Sequence, residues 1–157
     1  MNIKKINPSL LSFDKTIINI KNCKIPFGIE KPNKKYKHFT VKLKLYDKSI
    51  VKKIKKLEGV LLDKINDDDD FDYSDLKIKS SIYTNKWGDF LTVKIPVVKD
   101  KISTLFFDFD KQHISYSDIS KGDFAETKVF ANTIFIKNNE IIIKWKAEKI
   151  RLVKVAL

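Results

Sequence analysis

A mainly β, antiparallel fold with one amphipathic helix is what this sequence predicts, and three observations predict it. From Phe39 to Tyr46 the chain alternates strictly, with Phe39, Val41, Leu43 and Leu45 on one side and Thr40, Lys42, Lys44 and Tyr46 on the other. Successive side chains of a pleated strand point to opposite faces, so this is a half-buried strand. From Ser49 to Ile65 the period changes, with Ile50, Ile54, Leu57, Leu61 and Ile65 at spacings of three and four. Beyond that stretch, short apolar runs return, separated by Gly- and Asn-containing turns.

The elements follow in order. Residues 1–15 have no clear period and Pro8 argues against a helix, so they are expected as an N-terminal arm ahead of one domain over 16–157. Thr16 to Ile25, rich in Ile, is the first expected strand, and Pro26, Gly28 and Pro32 mark a loop. The alternating strand over about 38–46 comes next. The helix over about 49–65 can be capped by Asp47 or Ser49. Its lysines Lys52, Lys53, Lys55 and Lys56 lie off the apolar stripe and are read as a solvated face. Residues 66–75, NDDDDFDYSD, form an acidic loop, because adjacent aspartates repel one another and resist burial. Strands are then expected at Leu76–Tyr83, Phe90–Val97 and Ile102–Phe109, the last two joined like a hairpin through Lys99–Lys101. A polar connection over 110–123 leads to two longer strands, Ala125–Ile136 and Glu140–Val153, around Asn138–Asn139. One helix set into such a run suits a small Greek-key barrel of the OB type, with a helix-covered β-sandwich as the alternative.

Length and composition narrow the function. A chain of 157 residues with 43% hydrophobic content can bury one sizeable core. No run of about 18 apolar residues is present, so no membrane-spanning helix and no membrane partner are expected. The N-terminus does not read as a signal peptide, since Pro8 and Asp14 interrupt its apolar residues. A single cysteine, Cys23, excludes an internal disulfide framework and fits a reducing compartment. The formal charge of +12 favours a polyanionic partner. Arg151 is the one arginine, and lysine meets phosphate as a point charge without the bidentate fork that reads base edges. Binding with little sequence preference is the expectation, although the codon bias of an AT-rich genome could supply some of the lysine.

Signals for catalysis are sparse. His38 and His113 are far apart and in no ligand-spacing pattern, and Cys23 has no neighbouring histidine. There is no GxxxxGK[ST] and no GxGxxG, and four glycines are too few for a backbone phosphate cradle. The aspartates Asp67, Asp68, Asp69, Asp70 and Asp72 could hold a hard cation, but they lack DxDxDG spacing. No cofactor, no metal and no enzymatic activity are therefore expected, a Mg²⁺-dependent nuclease being the weakest reading. With Phe71 and Tyr73 the acidic segment could instead shield a basic groove or recruit another protein.

Cations interleaved with aromatic rings suit a polyanion with accessible bases. Lys42, Lys44 and Tyr46 carry that pattern on the strand, and Lys34, Lys35, Tyr36 and Lys37 carry it in the loop before it. Tyr83, Lys86 and Trp87 stand at a strand-to-turn transition, fit either for stacking or for capping a barrel end. Trp145 shares its face with Ile141, Ile143 and Ala147 and is expected in the core, which leaves Lys144 and Lys146 outward. Phe106, Phe107 and Phe109 put a ring on each face of one strand.

In order and character, NCKIPFGIEKP, KHFTVKLKLYD, LEGVLLDKI, SIYTNKWGDFLTVKIPV and IIIKWKAEKIRLV resemble the single-stranded-DNA-binding proteins of nucleocytoplasmic large DNA viruses, relatives of the short-tailed coliphage replication protein. The resemblance spans about residues 17–153. It implies an OB-fold and non-specific single-stranded DNA binding in viral replication or recombination, inside the host cell in a viral factory or the nucleus. It also implies that Lys42, Lys44, Tyr46, Tyr83, Lys86, Trp87 and Lys94 line the DNA groove. Replication proteins are the further partners it implies, and homo-oligomerisation stays open. Relatives often end in an acidic tail closed by an aromatic residue, whereas this chain ends Lys154-Val155-Ala156-Leu157 and carries DDDDFDY internally. The competing class is a basic structural or DNA-packaging virion protein that binds duplex.

Overall fold

Each alternating segment has one apolar row that only a shared interior can bury, and the fold is the arrangement that buries them together. The computed structural model describes residues 2–32, 38–73 and 75–154. In chain order it contains β1 (Ile3–Asn7), β2 (Leu10–Ile25), β3 (Ile29–Glu30) and β4 (Phe39–Leu45), then helix α1 (Lys48–Asp67). After the helix come β5 (Lys77–Ile78), β6 (Ile82–Asn85), β7 (Gly88–Ile95), β8 (Val97–Val98), β9 (Lys101–Ile102) and β10 (Leu105–Phe107). The last strands are β11 (Asp123–Lys137) and β12 (Glu140–Leu152).

Five strands close into a ring. β2 pairs with β11, β11 with β12, β12 with β7 and β7 with β4, and β4 returns to β2 through Cys23–Leu45 and Lys24–Lys44. Taken as barrel strands one to five in chain order, the ring runs one-two-three-five-four, with the three–five contact parallel and the others antiparallel. This is the expected OB-like Greek-key barrel, mainly β with one helix. Val41, Leu43, Leu91, Val93, Ile95, Ile141 and Ile143 fill its interior. Trp145 lies among them, 1% exposed, and its indole Nε1 donates to Ser81 Oγ at 3.1 Å.

Helix α1 starts at Asp47, whose carboxylate accepts from the Ser49 amide at 2.9 Å and the Ser49 hydroxyl at 2.7 Å. Its buried stripe is Ile50, Val51, Ile54, Leu61 and Ile65, interrupted by the carboxylate of Glu58. A buried carboxylate needs partners. Glu58 accepts from Ser80 Oγ at 2.8 Å, from the Ser81 amide at 2.7 Å and from Ser81 Oγ at 3.2 Å. These bonds tie the helix to the segment entering β6, and Lys52, Lys53, Lys55 and Lys56 face solvent as expected. No helix among the described residues is long and apolar enough to cross a membrane.

The structure corrects three expectations. Within the stretch expected as an arm over 1–15, Ile3–Asn7 is strand and β2 already begins at Leu10: β1 pairs antiparallel with the start of β2, and Leu11 and Phe13 are buried. Pro8 ends β1 and opens the turn into β2. The strand expected at Leu76–Tyr83 is split into β5, beside β12, and β6, beside β7. The hairpin expected to join β7 to Ile102–Phe109 shrinks to β8–β9, turning on Lys99 and Asp100 at φ 50° and 64°. Beyond it, Thr104 donates to the Ala147 carbonyl at 2.6 Å, which steers β10 alongside β12 in parallel and seats Phe106 in the core. The long β11–β12 hairpin turns on Asn138 and Asn139, both in the left-handed region at φ 53° and 63°, as a two-residue primed turn requires.

Candidate nucleic-acid interface

The outward row of β4 meets the outward row of β7 residue by residue: Thr40 opposite Lys94, Lys42 opposite Thr92, Lys44 opposite Phe90. Ring closure then sets Lys24 of β2 against Lys44, and β6 sets Tyr83 against Phe90. A groove of about 900 Å³ results, lined by Lys24, Pro26, Phe27, Lys42, Lys44, Lys79, Tyr83, Asn85, Trp87, Phe90 and Thr92. Its floor is the face of barrel strands two and three, the face OB barrels present to oligonucleotides.

Rings stand around this floor with open faces. Tyr83 is 67% exposed, Trp87 66% and Phe27 52%. Cations lie near these rings: Lys42 Nζ is 5.4 Å from the Phe27 centroid and Lys86 Nζ 5.1 Å from Trp87. At the groove's end Tyr46 stacks on Phe124, with centroids 6.1 Å apart and planes 19° from parallel. Lys44 Nζ lies 5.5 Å from the Tyr46 ring and Lys24 Nζ 5.6 Å from Phe124.

The turn bearing Trp87 is held from beneath. The Asn85 carboxamide oxygen accepts from the Trp87 amide at 2.8 Å, and Gly88 sits at φ +136°, a conformation side-chain-bearing residues rarely adopt. A Cβ on Gly88 would lie 3.1 Å from Lys44 Cε, so the bare glycine lets the lysine stem cross the turn into the groove. The buried carboxylate of Asp89 takes Lys48 Nζ at 2.7 Å and Thr84 Oγ1 at 2.6 Å, joining turn, β6 and helix start. Those hydrogen bonds, the lysine's first, hold the Asp89 carboxyl below the usual aspartate pKa.

Of the residues predicted from sequence, the groove brings together Lys42, Lys44, Tyr83 and Trp87, with Tyr46 and Lys86 at its margin. Lys94, Lys144 and Lys146 form a separate cluster on β7 and β12, where Lys146 pairs with Lys94. Partial burial, with Lys146 and Lys144 close by, lowers the Lys94 pKa. Lys34, Lys35, Tyr36 and Lys37 lie outside the described residues. Sequence reasoning missed Lys24, Phe27, Lys79 and Phe90. Alternation marks Phe90 as outward in β7, but nothing local reveals that Lys24 and Lys79 converge on it.

One expectation fails for a physical reason. Phe71, read as part of a recruiting or shielding segment, is buried, fixed by a short 3₁₀ turn over Asp69–Phe71. Tyr73 donates its hydroxyl to the Pro8 carbonyl at 2.6 Å and has Lys5 Nζ 5.1 Å from its ring. The segment is thus pinned beside the start of β2, while Lys24 enters the groove from the strand's other end. Asp67, Asp68, Asp69, Asp70 and Asp72 remain exposed. Among the described residues no three His, Cys, Asp or Glu side chains are grouped as metal ligands. Cys23 is buried beneath the groove, and burial pushes its thiol up to about 11.

No protein-family model matches the chain, and no curated protein is similar to it. Solved structures do match. The single-stranded DNA-binding protein of bacteriophage Enc34, truncated at its C-terminus, superposes with a TM-score of 0.60 at 10% identity, over 90% of this chain and 87% of that one. The Enc34 protein in complex with single-stranded DNA gives 0.57 at 12% identity, over 90% and 88%. The gp2.5 single-stranded DNA-binding protein encoded by bacteriophage T7 gives 0.56 at 16% identity, over 92% and 89%. At these identities the likeness establishes the fold: this chain is built on the barrel of phage single-stranded DNA-binding proteins.

Proposed function

We propose that this protein is a non-enzymatic, sequence-independent single-stranded DNA-binding protein acting in viral DNA replication or recombination, related to the family of the large DNA viruses. The observation that carries the reading is the groove, where Lys24, Lys42, Lys44 and Lys79 alternate with exposed Phe27, Tyr83 and Trp87. Ammonium groups on the floor neutralise phosphates and release counterions, and rings on the walls stack with unpaired bases. Duplex DNA, with its bases already stacked, has no use for the rings. Lys86 and Tyr46 add contacts at the groove's margin and Lys94, Lys144 and Lys146 add contacts beyond it, while Lys34, Lys35, Tyr36 and Lys37 are further candidates for phosphate and base contact by their residue types. The exposed aspartates at the end of α1 are better placed to recruit a basic replication partner than to shield the groove, because Phe71 anchors them away from it.

The test is a titration with oligo-dT and with duplex of equal length, followed by tryptophan fluorescence from about 50 to 300 mM salt. Tighter, quenching binding to oligo-dT that weakens steeply with salt is expected. Equal or tighter duplex binding would overturn the proposal in favour of a packaging protein, and no binding to either would overturn it outright.

A further inference from the structure

The groove is not closed at the β12 side. On one wall Lys79 donates its amide to the Ile141 carbonyl of β12 at 3.0 Å. On the other, two residues beyond Thr92 of the floor, Lys94 stands opposite Lys146 of β12. Lys144 lies between these junctions on β12, exposed. None of Lys94, Lys144 and Lys146 belongs to a described ion pair. Three like charges on adjoining strands repel, and an anion laid across them relieves that.

Beyond the lysines the two directions along β12 differ. Toward its C-terminal end, Glu148 binds Lys15 at 3.2 Å and Lys128 at 3.0 Å, which offsets part of that charge and sets a carboxylate in the way of a polyanion. Phe130 there is less exposed than Phe135, and Lys15, held by Glu148, stands 4.4 Å from its centroid, so a cation already covers that ring. Toward the Asn138–Asn139 turn, Phe135 is 41% exposed with Lys144 Nζ 5.7 Å from its ring. Phe135 pairs with Ile142, the neighbour of the Ile141 that Lys79 binds. The charged cluster therefore connects the groove to one open ring.

We infer that single-stranded DNA longer than the groove continues over β12, its phosphates on Lys94, Lys144 and Lys146, and stacks its next base on Phe135. This rests on the groove reading and assigns it an exit, toward the β11–β12 turn and away from Glu148. OB barrels bind about 4–16 nucleotides each, so the exit decides where in that range this protein falls.

The experiment compares Phe135→Ala with Lys144→Glu, combined in one chain, against wild type on a ladder of oligo-dT lengths. Lys52→Glu, on the solvent face of α1, serves as the control for a charge reversal. Short oligomers that fill only the groove do not reach Phe135 or Lys144, feel only the reversed charge at a distance, and should lose distinctly less affinity than long ones. Long ones should bind about ten-fold or more weakly, with a salt slope shallower by about 0.7 for each phosphate no longer neutralised. The occluded site should also shorten. Equal losses at every length, no loss at any length, or a loss matched by Lys52→Glu would overturn the inference. Wild type that binds short oligo-dT but gains nothing with length would overturn the exit and leave the groove standing. Failure of wild type to bind any oligo-dT would remove both.

Discussion

Replacing Trp87 with alanine isolates stacking from folding. The ring is 66% exposed, with Lys86 near one face. Its turn is held by Asn85, Gly88 and the Asp89–Lys48–Thr84 bonds, none of which uses the indole. The variant should therefore keep its Tm within about 2 °C, as exposed substitutions do. One face offers a surface for one base, and stacking contributes about 1–3 kcal/mol per base. The dissociation constant for oligo-dT should rise about 5- to 150-fold. Fluorescence adds an independent readout, because Trp145 is 1% exposed and hydrogen-bonded to Ser81. Wild type should quench on binding through Trp87, while Trp87→Ala keeps the Trp145 emission and quenches little. Affinity measured by anisotropy of a labelled oligomer completes the pair. Unchanged affinity together with undiminished quenching would refute the stacking role and point to a change around Trp145.

Further outcomes follow from the same geometry. Lys42→Glu with Lys44→Glu should weaken oligo-dT binding by much more than ten-fold at low salt and reduce the salt slope by about 1.4; unchanged affinity would remove β4 from the site. Glu58→Ala strips three donors at Ser80 and Ser81 of their buried acceptor and should cost about 2–4 kcal/mol in urea unfolding, whereas a cost below about 0.5 kcal/mol would contradict the network. The Asp89 carboxyl is held below its unfolded pKa of about 3.9, so its stabilisation is present above about pH 4 and fades as pH falls through the lower folded value. Urea midpoints of Asp89→Asn should accordingly trail wild type at pH 7 and converge with it in acid; a gap independent of pH would show that this carboxylate does not titrate as described.

Wherever one element controls its own burial, its sequence reveals it. Strand β4 alternates because one side faces the interior, and α1 shows its 3–4 spacing for the same reason. The facing of Trp145 was legible from Ile141, Ile143 and Ala147, and the β11–β12 turn from two asparagines that tolerate left-handed backbone. What escaped depends on partners distant in sequence. Leu11 and Phe13 alternate too briefly, between Pro8 and Asp14, to outweigh the reading of an arm. Phe71 sits among aspartates whose charge argues for a loop, yet one ring can be buried while its neighbours stay wet. Lys24 joins the groove through ring closure, and no local period encodes the pairing of residues 23–24 with 44–45.

That closure has a consequence of its own. The seam of the barrel is short and sets Lys24 directly against Lys44, a like-charged cross-strand pair that weakens the join it belongs to. The seam also borders the groove, which both lysines line. An anion lying there bridges the two strands and turns a repulsive contact into an attractive one, so it acts as a fastener on the barrel. Strand separation and ligand release become one opening event, and every increment of occupancy adds to the stability of the folded chain. In the cell, the protein would be most durable while it is at work.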